Sequence, residues 1–370
     1  MKICGITAEY NPLHNGHIHH IEETRKKSGC DVLIAVMSGN FVQRGEPAVI
    51  DKWQRAEAAV RNGLDAVIEL PYIFCTQSAS RFAHGSVSLL KKSGCGMISF
   101  GSECGNLENL TDIADAPVNP DNLRETMRSG ISYPKAYSLL TSEMEPNDIL
   151  AVCYLREIKD TGIQPVLVER NGGYLDDTMN EMPSAFAIRR ALHEKREIAG
   201  SSPMEDVLLS NDPVFFDAYY PYLRTLLLTT DRKRLNEFFL FSEGIEVHLA
   251  ACAAKSASWE EFLNSAVTHR YTAGRIRRTC LQAMCQMTKE EASSLKEPET
   301  IRILAFNDTG RKWLKEMREQ EVPVASRFGE YPEKWRRAEY RSTLLYTSVM
   351  DEENRNRILD AEIRGARYIR

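Results

Sequence analysis

Residues 2–21, KICGITAEYNPLHNGHIHHI, decide how the rest of the chain is read. Ile3-Cys4-Gly5-Ile6-Thr7 is an apolar run with β-branched members and reads as a buried strand. Asn11-Pro12 breaks that strand, and Gly16 sits where the backbone must turn closely. From His17 onward Ile18 and Ile21 begin a helical face, with Glu22, Glu23, Arg25 and Lys26 on the solvated side. The strand therefore ends in a loop, His14-Asn15-Gly16-His17, from which a helix starts. Such a junction points backbone N–H groups and the positive end of a helix dipole at whatever binds above it. Two imidazoles at i and i+3 add donors that can follow charge developing on a phosphate. The same spacing also serves a metal pair or a chance histidine cluster, since His19 and His20 follow at once. The Asn-Pro, glycine and strand context favours the phosphate reading.

A chain of 370 residues has room for two domains and a substantial core. Hydrophobic content of 43% and charge of 27% are those of a soluble globular protein. The nine cysteines are scattered without a C-x-x-C pair, which predicts reduced thiols in a cytoplasmic protein and neither a zinc site nor a disulfide framework. No signal peptide is read at the start, and no apolar run approaches the ~18 residues of a membrane span. A net charge of −5 argues against a wholly basic nucleic-acid coat but leaves room for a local basic patch.

Further strand-length apolar runs follow at Asp31–Met37, Ala66–Leu70, Met97–Phe100 and Pro165–Val168. Helical patterns separate them at Gln54–Asn62, Ala79–Lys92 and Pro146–Asp160. Strands that alternate with helices, and lack in/out alternation of their own, predict a Rossmann-like α/β domain with a parallel sheet covered on both faces. Ligands in such folds gather beyond the carboxyl ends of the strands, so the loops there carry the information. After the second strand, Ser38 to Pro47 combines glycines, amides and cations, and Lys52 and Arg55 stand one helical turn apart where both could face an anion. Gly101 after the fourth strand allows close approach to a nucleotide. Ser78 is read as a helix cap, and Asn147 or Asp148 as another, with contact to adenine or ribose as the alternative use of the latter pair. Ser184 caps a helix carrying Arg189 and Arg190, placed after the last strand where phosphate binding is plausible.

The composition changes beyond Glu194, and Ala199-Gly200-Ser201-Ser202-Pro203 is a candidate boundary between a 1–200 domain and a mainly α-helical 201–370 domain. Glu243–Asn264 reads as one amphipathic helix, and Ile301–Phe306 as a strand or buried helix. No acidic residue occurs between Phe262 and Leu281, a stretch holding Arg270, Arg275, Arg277 and Arg278 with Tyr and Thr interleaved. That pattern suggests contacts along a nucleic-acid backbone; a surface helix balanced by glutamates from elsewhere is the other reading.

The HNGH stretch resembles the HxGH signature of the nucleotidylyltransferase superfamily, fold relatives of class I aminoacyl-tRNA synthetases. More closely, Glu9 to His17 is similar to the start of the bacterial tRNA(Met) cytidine acetate ligases. SGNFVQRGEPA, IDKW, VIELP, FGSE and HRYT-x-x-RIRR resemble that family in the same order. The resemblance implies an ATP site made by Thr7, Ala8, Glu9, Tyr10, Asn11, Pro12, His14, Gly16, His17 and His20, joined by Gly101, Asn147, Ser184, Ile188 and Arg189. It implies catalytic roles for His14, His17 and Lys52, and RNA contacts for Arg270, Arg275, Arg277 and Arg278. ATP with Mg²⁺ bound to its phosphates, acetate and elongator tRNA(Met) are the implied cofactor and substrates, without a protein partner or a resident metal site. Ser184, Ile188 and Arg189 fit the superfamily's second, Ser-x-Thr-x-Ile-Arg-like element, but Phe186 stands at its hydroxyl position. No KMSKS loop appears, which counts against a synthetase. A small-metabolite adenylyltransferase is the alternative, and the long second half with its basic stretch is what separates the two.

Overall fold

The computed structural model describes residues 1–116, 144–170 and 183–370. Each apolar run becomes a strand: β1 Ile3–Ala8, β2 Val32–Ser38, β3 Ala66–Leu70, β4 Met97–Ser102 and β5 Gln164–Glu169. They pair in parallel in the order β5-β4-β1-β2-β3. β2 and β3 are buried along their whole length, as helices on both faces of a parallel sheet require. The covering helices include Asn15–Ser28, Lys52–Arg61, Ala79–Lys92 and Pro146–Ile158. The chain steps outward from β1 through β2 and β3, then returns to place β4 on the other side of β1. That reversal opens a crevice above the carboxyl ends of β1 and β4.

The second half is mainly helical, but its strands extend the sheet. Ile301–Phe306 forms β6 and runs antiparallel to β3, with Ala66 opposite Phe306 and Val67 opposite Ala305. Val324–Ala325 (β7) and Arg367–Tyr368 (β8) then pair with β6. A boundary at residue 200 therefore cuts through one sheet. The cause lies in the run itself: Ile301 to Ala305 are buried, so this segment needs cover on both faces. The expected helix over 243–264 is two helices, Ile245–Lys255 and Trp259–Ala266. Ser258 ends the continuity by turning its hydroxyl to accept the N–H of Glu261 (3.2 Å).

Lys52, expected to be catalytic, stands in a buried set of ion pairs. Its side chain is fully buried and ion-pairs with Glu69 at 2.5 Å and Glu362 at 2.9 Å. Arg302 of β6 completes the set, meeting Glu69 at 2.7 Å and Glu362 at 2.8 Å. Glu339 lies nearby, accepts the N–H of Tyr72 (2.7 Å), and has its carboxyl pushed above the usual range by burial and by Glu69. Two cations thus face two carboxyl groups, and a third holds its proton more readily. Arg55 is structural too: it donates to the carbonyls of Ile50, Glu9 and Ser38. We expect Lys52→Met to cost about 3–5 kcal/mol, because it leaves buried carboxylate charge uncompensated. Urea unfolding checks this; an unchanged midpoint with lost activity would return Lys52 to the chemistry.

Candidate active site

The site is built where β1 runs out. Tyr10 takes a left-handed backbone (φ 46°), which turns the chain from strand to loop and is held there by the burial of its ring. His14 then caps the helix Asn15–Ser28, its Nδ1 accepting the N–H of Gly16 at 3.0 Å. His17 reaches back, its Nδ1 accepting the N–H of His14 at 3.2 Å. The i, i+3 spacing is thus a reciprocal capping box, with imidazoles in place of the usual hydroxyl and carboxylate. Both Nδ1 atoms are acceptors, so each neutral ring carries its proton on Nε2. Gly16 is required by the first ring: a Cβ there would sit 2.9 Å from His14 Cε1. The two rings lie 3.8 Å apart at 38°, with Tyr10 edge-on to His17 at 5.0 Å.

Above these rings lies a cavity of about 360 Å³. Thr7, Ala8, Glu9, Tyr10, Asn11 and the three histidines 14, 17 and 20 line it from β1 and its helix. Gly101 and Asn147 line a second wall, Ser184 and Arg189 a third. Ser184 caps its helix by accepting the N–H of Ala187 (3.0 Å), and Arg189 donates to the carbonyl of Asn11 (2.9 Å), which ties that helix to the HNGH loop. Pro12, Gly16 and Ile188, expected at the ATP site, are not among the lining residues, and Ile188 lies in the core. Phe186, like Arg189, lines this cavity and also a second, of about 210 Å³. Neither Asn147 nor Asp148 caps: the helix follows Glu145 with Pro146 in its first turn. Asp148 instead accepts from Ser102 Oγ (2.5 Å) and the N–H of Glu103 (3.0 Å), shaping the turn after β4, while Asn147 bonds the Glu103 carboxylate. Ser78 precedes its helix but makes no capping bond.

The basic stretch closes the cavity's remaining side. Thr272, Gly274 and Arg278 line it, and Thr272 caps the helix Ala273–Met284. Arg278 donates to the carbonyl of Gln43 (3.1 Å), and Arg277 pairs with Glu46 at 3.0 Å. Gly45, at φ 78°, lets the loop lie against the Arg277–Arg278 backbone, where a Cβ would come within 2.6 Å. Arg275 and Arg270 share Glu243, at 3.2 and 3.5 Å. Glutamates remote in sequence thus partner three of the four arginines, and only Arg278 of the four lines the cavity.

The chain matches the HIGH nucleotidyl transferase family over residues 1–361. It is similar to the tRNA(Met) cytidine acetate ligase of Geobacillus sp., at 33% identity over 98% of each chain. It is also similar to that of Limosilactobacillus reuteri, at 34% over 94% of this chain and 95% of the other. The chain belongs to the tRNA(Met) cytidine acetate ligases of the HIGH nucleotidyl transferase family. Among solved structures, Thermotoga maritima TmcAL in its apo form is similar along the whole of both chains, with a TM-score of 0.91 and 31% identity. The same protein bound with alpha-thio ATP gives 0.87 over the same span.

Against this family background, sequence reading missed several lining residues. Arg170 directly follows β5 and lines the cavity beside the histidines, and Gly101 leaves room for it, since a Cβ there would stand 3.0 Å from Arg170 Cγ. Its signal was position alone, one residue past a strand end. Tyr154 and Phe82 come from helix faces that read as core.

Burial first, then Arg170 and Arg189, pushes His14 down to about 3. Burial and Arg170 push His20 down to about 4, and burial with His14 holds His17 well below its ordinary value. All three are therefore neutral in the free protein near pH 7. Because the unfolded imidazoles bind protons near pH 6.5 and the folded ones do not, their contribution to stability is complete above pH 6.5 and is lost as pH falls toward 4. For His14 the loss reaches about 2 kcal/mol by pH 5. Urea midpoints measured from pH 7.5 to 4.5 should fall along this course, and less steeply in His14→Gln.

Proposed function

We propose that this protein activates acetate with ATP as acetyl-adenylate and transfers the acetyl group to N4 of the wobble cytidine of elongator tRNA(Met), yielding N4-acetylcytidine. The observation that carries the reading is the pair of capping imidazoles, each left with an Nε2–H donor, in a cavity walled by Arg170 and Arg189. Nucleotidyl transfer asks for little covalent help; it needs ATP held in line with a nucleophile and donors to follow charge onto pyrophosphate. In the first step an acetate oxygen attacks the α-phosphorus and the bond to the β-phosphate breaks. His14 and His17 donate to the α-phosphate oxygens as their charge grows. Arg189, Arg170 and the capped helix start at Ser184 receive the terminal phosphates. Thr7 to Tyr10 and Gly101 pack against the nucleoside, with Asn147 near it.

Among the described residues no cluster of side chains is suited to a resident metal ion. The donors around the cavity are mainly imidazoles, amides and guanidinium groups, so Mg²⁺ would enter on the ATP phosphates as part of the substrate. In the second step the cytidine amine attacks the acetyl carbonyl and AMP leaves. An anticodon base is single-stranded and can enter a pocket without duplex melting. Arg270, Arg275, Arg277 and Arg278 are offered as contacts to the RNA backbone, with Arg278 at the cavity mouth. The names of the relatives support acetate and tRNA(Met) as substrates. No helix among the described residues is long and apolar enough to cross a membrane.

Purified protein with ATP, acetate and bulk tRNA should form N4-acetylcytidine, read by nucleoside mass analysis, only when all three are present. His17→Ala should lower the rate by about 10²–10³ with a small change in the KM for ATP. Pyrophosphate release without change in the tRNA would favour a small-metabolite adenylyltransferase instead.

A further inference from the structure

If acetyl transfer proceeds as proposed above, a proton must leave the amine as its bond to carbon forms. Among the described residues that line the cavity, few can take that proton. Nδ1 of His14 and of His17 is occupied by main-chain N–H groups, and burial leaves both imidazoles weak bases. His20 is turned to Ser99 (3.1 Å). Burial keeps Tyr10 and Tyr154 protonated, and the arginines are already cations. Glu9 is the carboxylate among these residues.

Two hydrogen bonds hold Glu9 in place. Its Oε1 accepts the N–H of Gln43 at 2.6 Å, and its carbonyl oxygen accepts from Arg55 Nη1 at 2.5 Å. Among the described residues Oε2 has no hydrogen-bond partner, and Glu9 lines the cavity. Gln43 is gripped in turn, donating to the carbonyl of Gln77 (3.1 Å) and accepting from Arg278 (3.1 Å). The helix that carries the basic stretch thus sits on the residue that orients this carboxylate.

We propose that Glu9 is the catalytic base of the acetyl-transfer step. The amine nitrogen attacks the acetyl carbonyl carbon and a C–N bond forms. One amine proton passes to Glu9 Oε2. The C–O bond to AMP breaks, AMP leaves with its electron pair, and Glu9 then releases the proton to water. Burial raises Glu9 above the ordinary carboxylate range, opposed by the Gln43 N–H and by Arg44, Arg189 and Arg55, so it is a stronger base than a surface glutamate. Tyr10, Tyr154, His14, His17 and His20 are the other neutral titratable groups on the walls around it, and Arg44, Arg170, Arg189 and Arg278 are the charged ones.

Glu9→Gln tests this, since an amide oxygen still accepts from Gln43 but takes no proton. Two readings are compared with the wild type: acetate-dependent ATP–pyrophosphate exchange, and single-turnover transfer from acetyl-adenylate to bulk tRNA across pH 5–9. Transfer should slow by about 10²–10⁴ and lose its rise with pH; since Glu9 also stands on the ATP-binding wall, exchange is read at saturating ATP, where the KM for ATP rises and the maximal exchange rate falls far less than transfer. Glu9→Asp should recover part of the rate and the pH dependence. Equal loss in exchange and transfer would overturn the assignment and make Glu9 a positioning residue, and so would transfer within threefold of the wild type. Failure of the ligase reading shows separately, as a wild-type protein that forms no acetylcytidine; that result overturns both.

Discussion

Two hydrogen bonds at one helix start set the chemistry this protein can do. His14 and His17 exchange them with the backbone N–H groups of Gly16 and His14. A hydroxyl and a carboxylate in those places would cap the helix equally well, but the carboxylate would bring negative charge and no donor, and the hydroxyl a donor free to rotate. An imidazole has two nitrogens, so capping with one fixes the other as an N–H directed away from the backbone. Satisfying the orphan groups of the helix and arming the site are thus one act. Burial then keeps the rings uncharged, so what they offer an incoming phosphate is donor geometry, with the positive charge supplied by Arg170 and Arg189.

The site needs β1 held in place, and that depends on the second half of the chain. β6 extends the sheet beyond β3, and Arg302 on it shares Glu69 and Glu362 with Lys52. Each cation touches both carboxylates, so removing any one member leaves a buried charge rather than a hydrophobic gap. Such a set specifies register more sharply than apolar contacts, which tolerate sliding. It fixes the start of the helix Lys52–Arg61, and Arg55 from that helix reaches the carbonyl of Glu9. A line of polar contacts therefore runs from the C-terminal helix to the floor of the cavity.

The parallel sheet was legible because its strands are continuous apolar runs separated by helix-length amphipathic segments, and the HNGH loop because a broken strand before a histidine-bearing helix start is uncommon. The partners of the charged groups were not legible, for one reason. Lys52 and Arg55 follow a glycine-rich loop one turn apart, as phosphate ligands would, yet Lys52's partner Glu362 stands 310 residues away. An acid-free run from 263 to 280 reads as unbalanced charge until Glu46 and Glu243 arrive from distant segments. Local sequence reports which groups are charged; it does not report which fold back to neutralise them. Ile301–Phe306 is a variant of the same problem, since a short apolar run does not say which sheet it joins.

Arg278 shows how one residue can belong to both accounts. It is the arginine of the basic stretch that lines the cavity, and its contact is a backbone carbonyl rather than a carboxylate. A carbonyl orients the guanidinium without cancelling its charge, whereas Arg277, paired with Glu46, has been largely neutralised. The same carbonyl belongs to Gln43, whose N–H holds Glu9. Anything anionic drawn to Arg278 therefore acts on a contact that is one peptide unit from the grip on Glu9. Gly45 makes this geometry possible, because any side chain there would force the loop off the helix backbone and part Gln43 from Arg278. The loop after β2 thus bridges the helix Ala273–Met284 and the end of β1, both of which line the cavity.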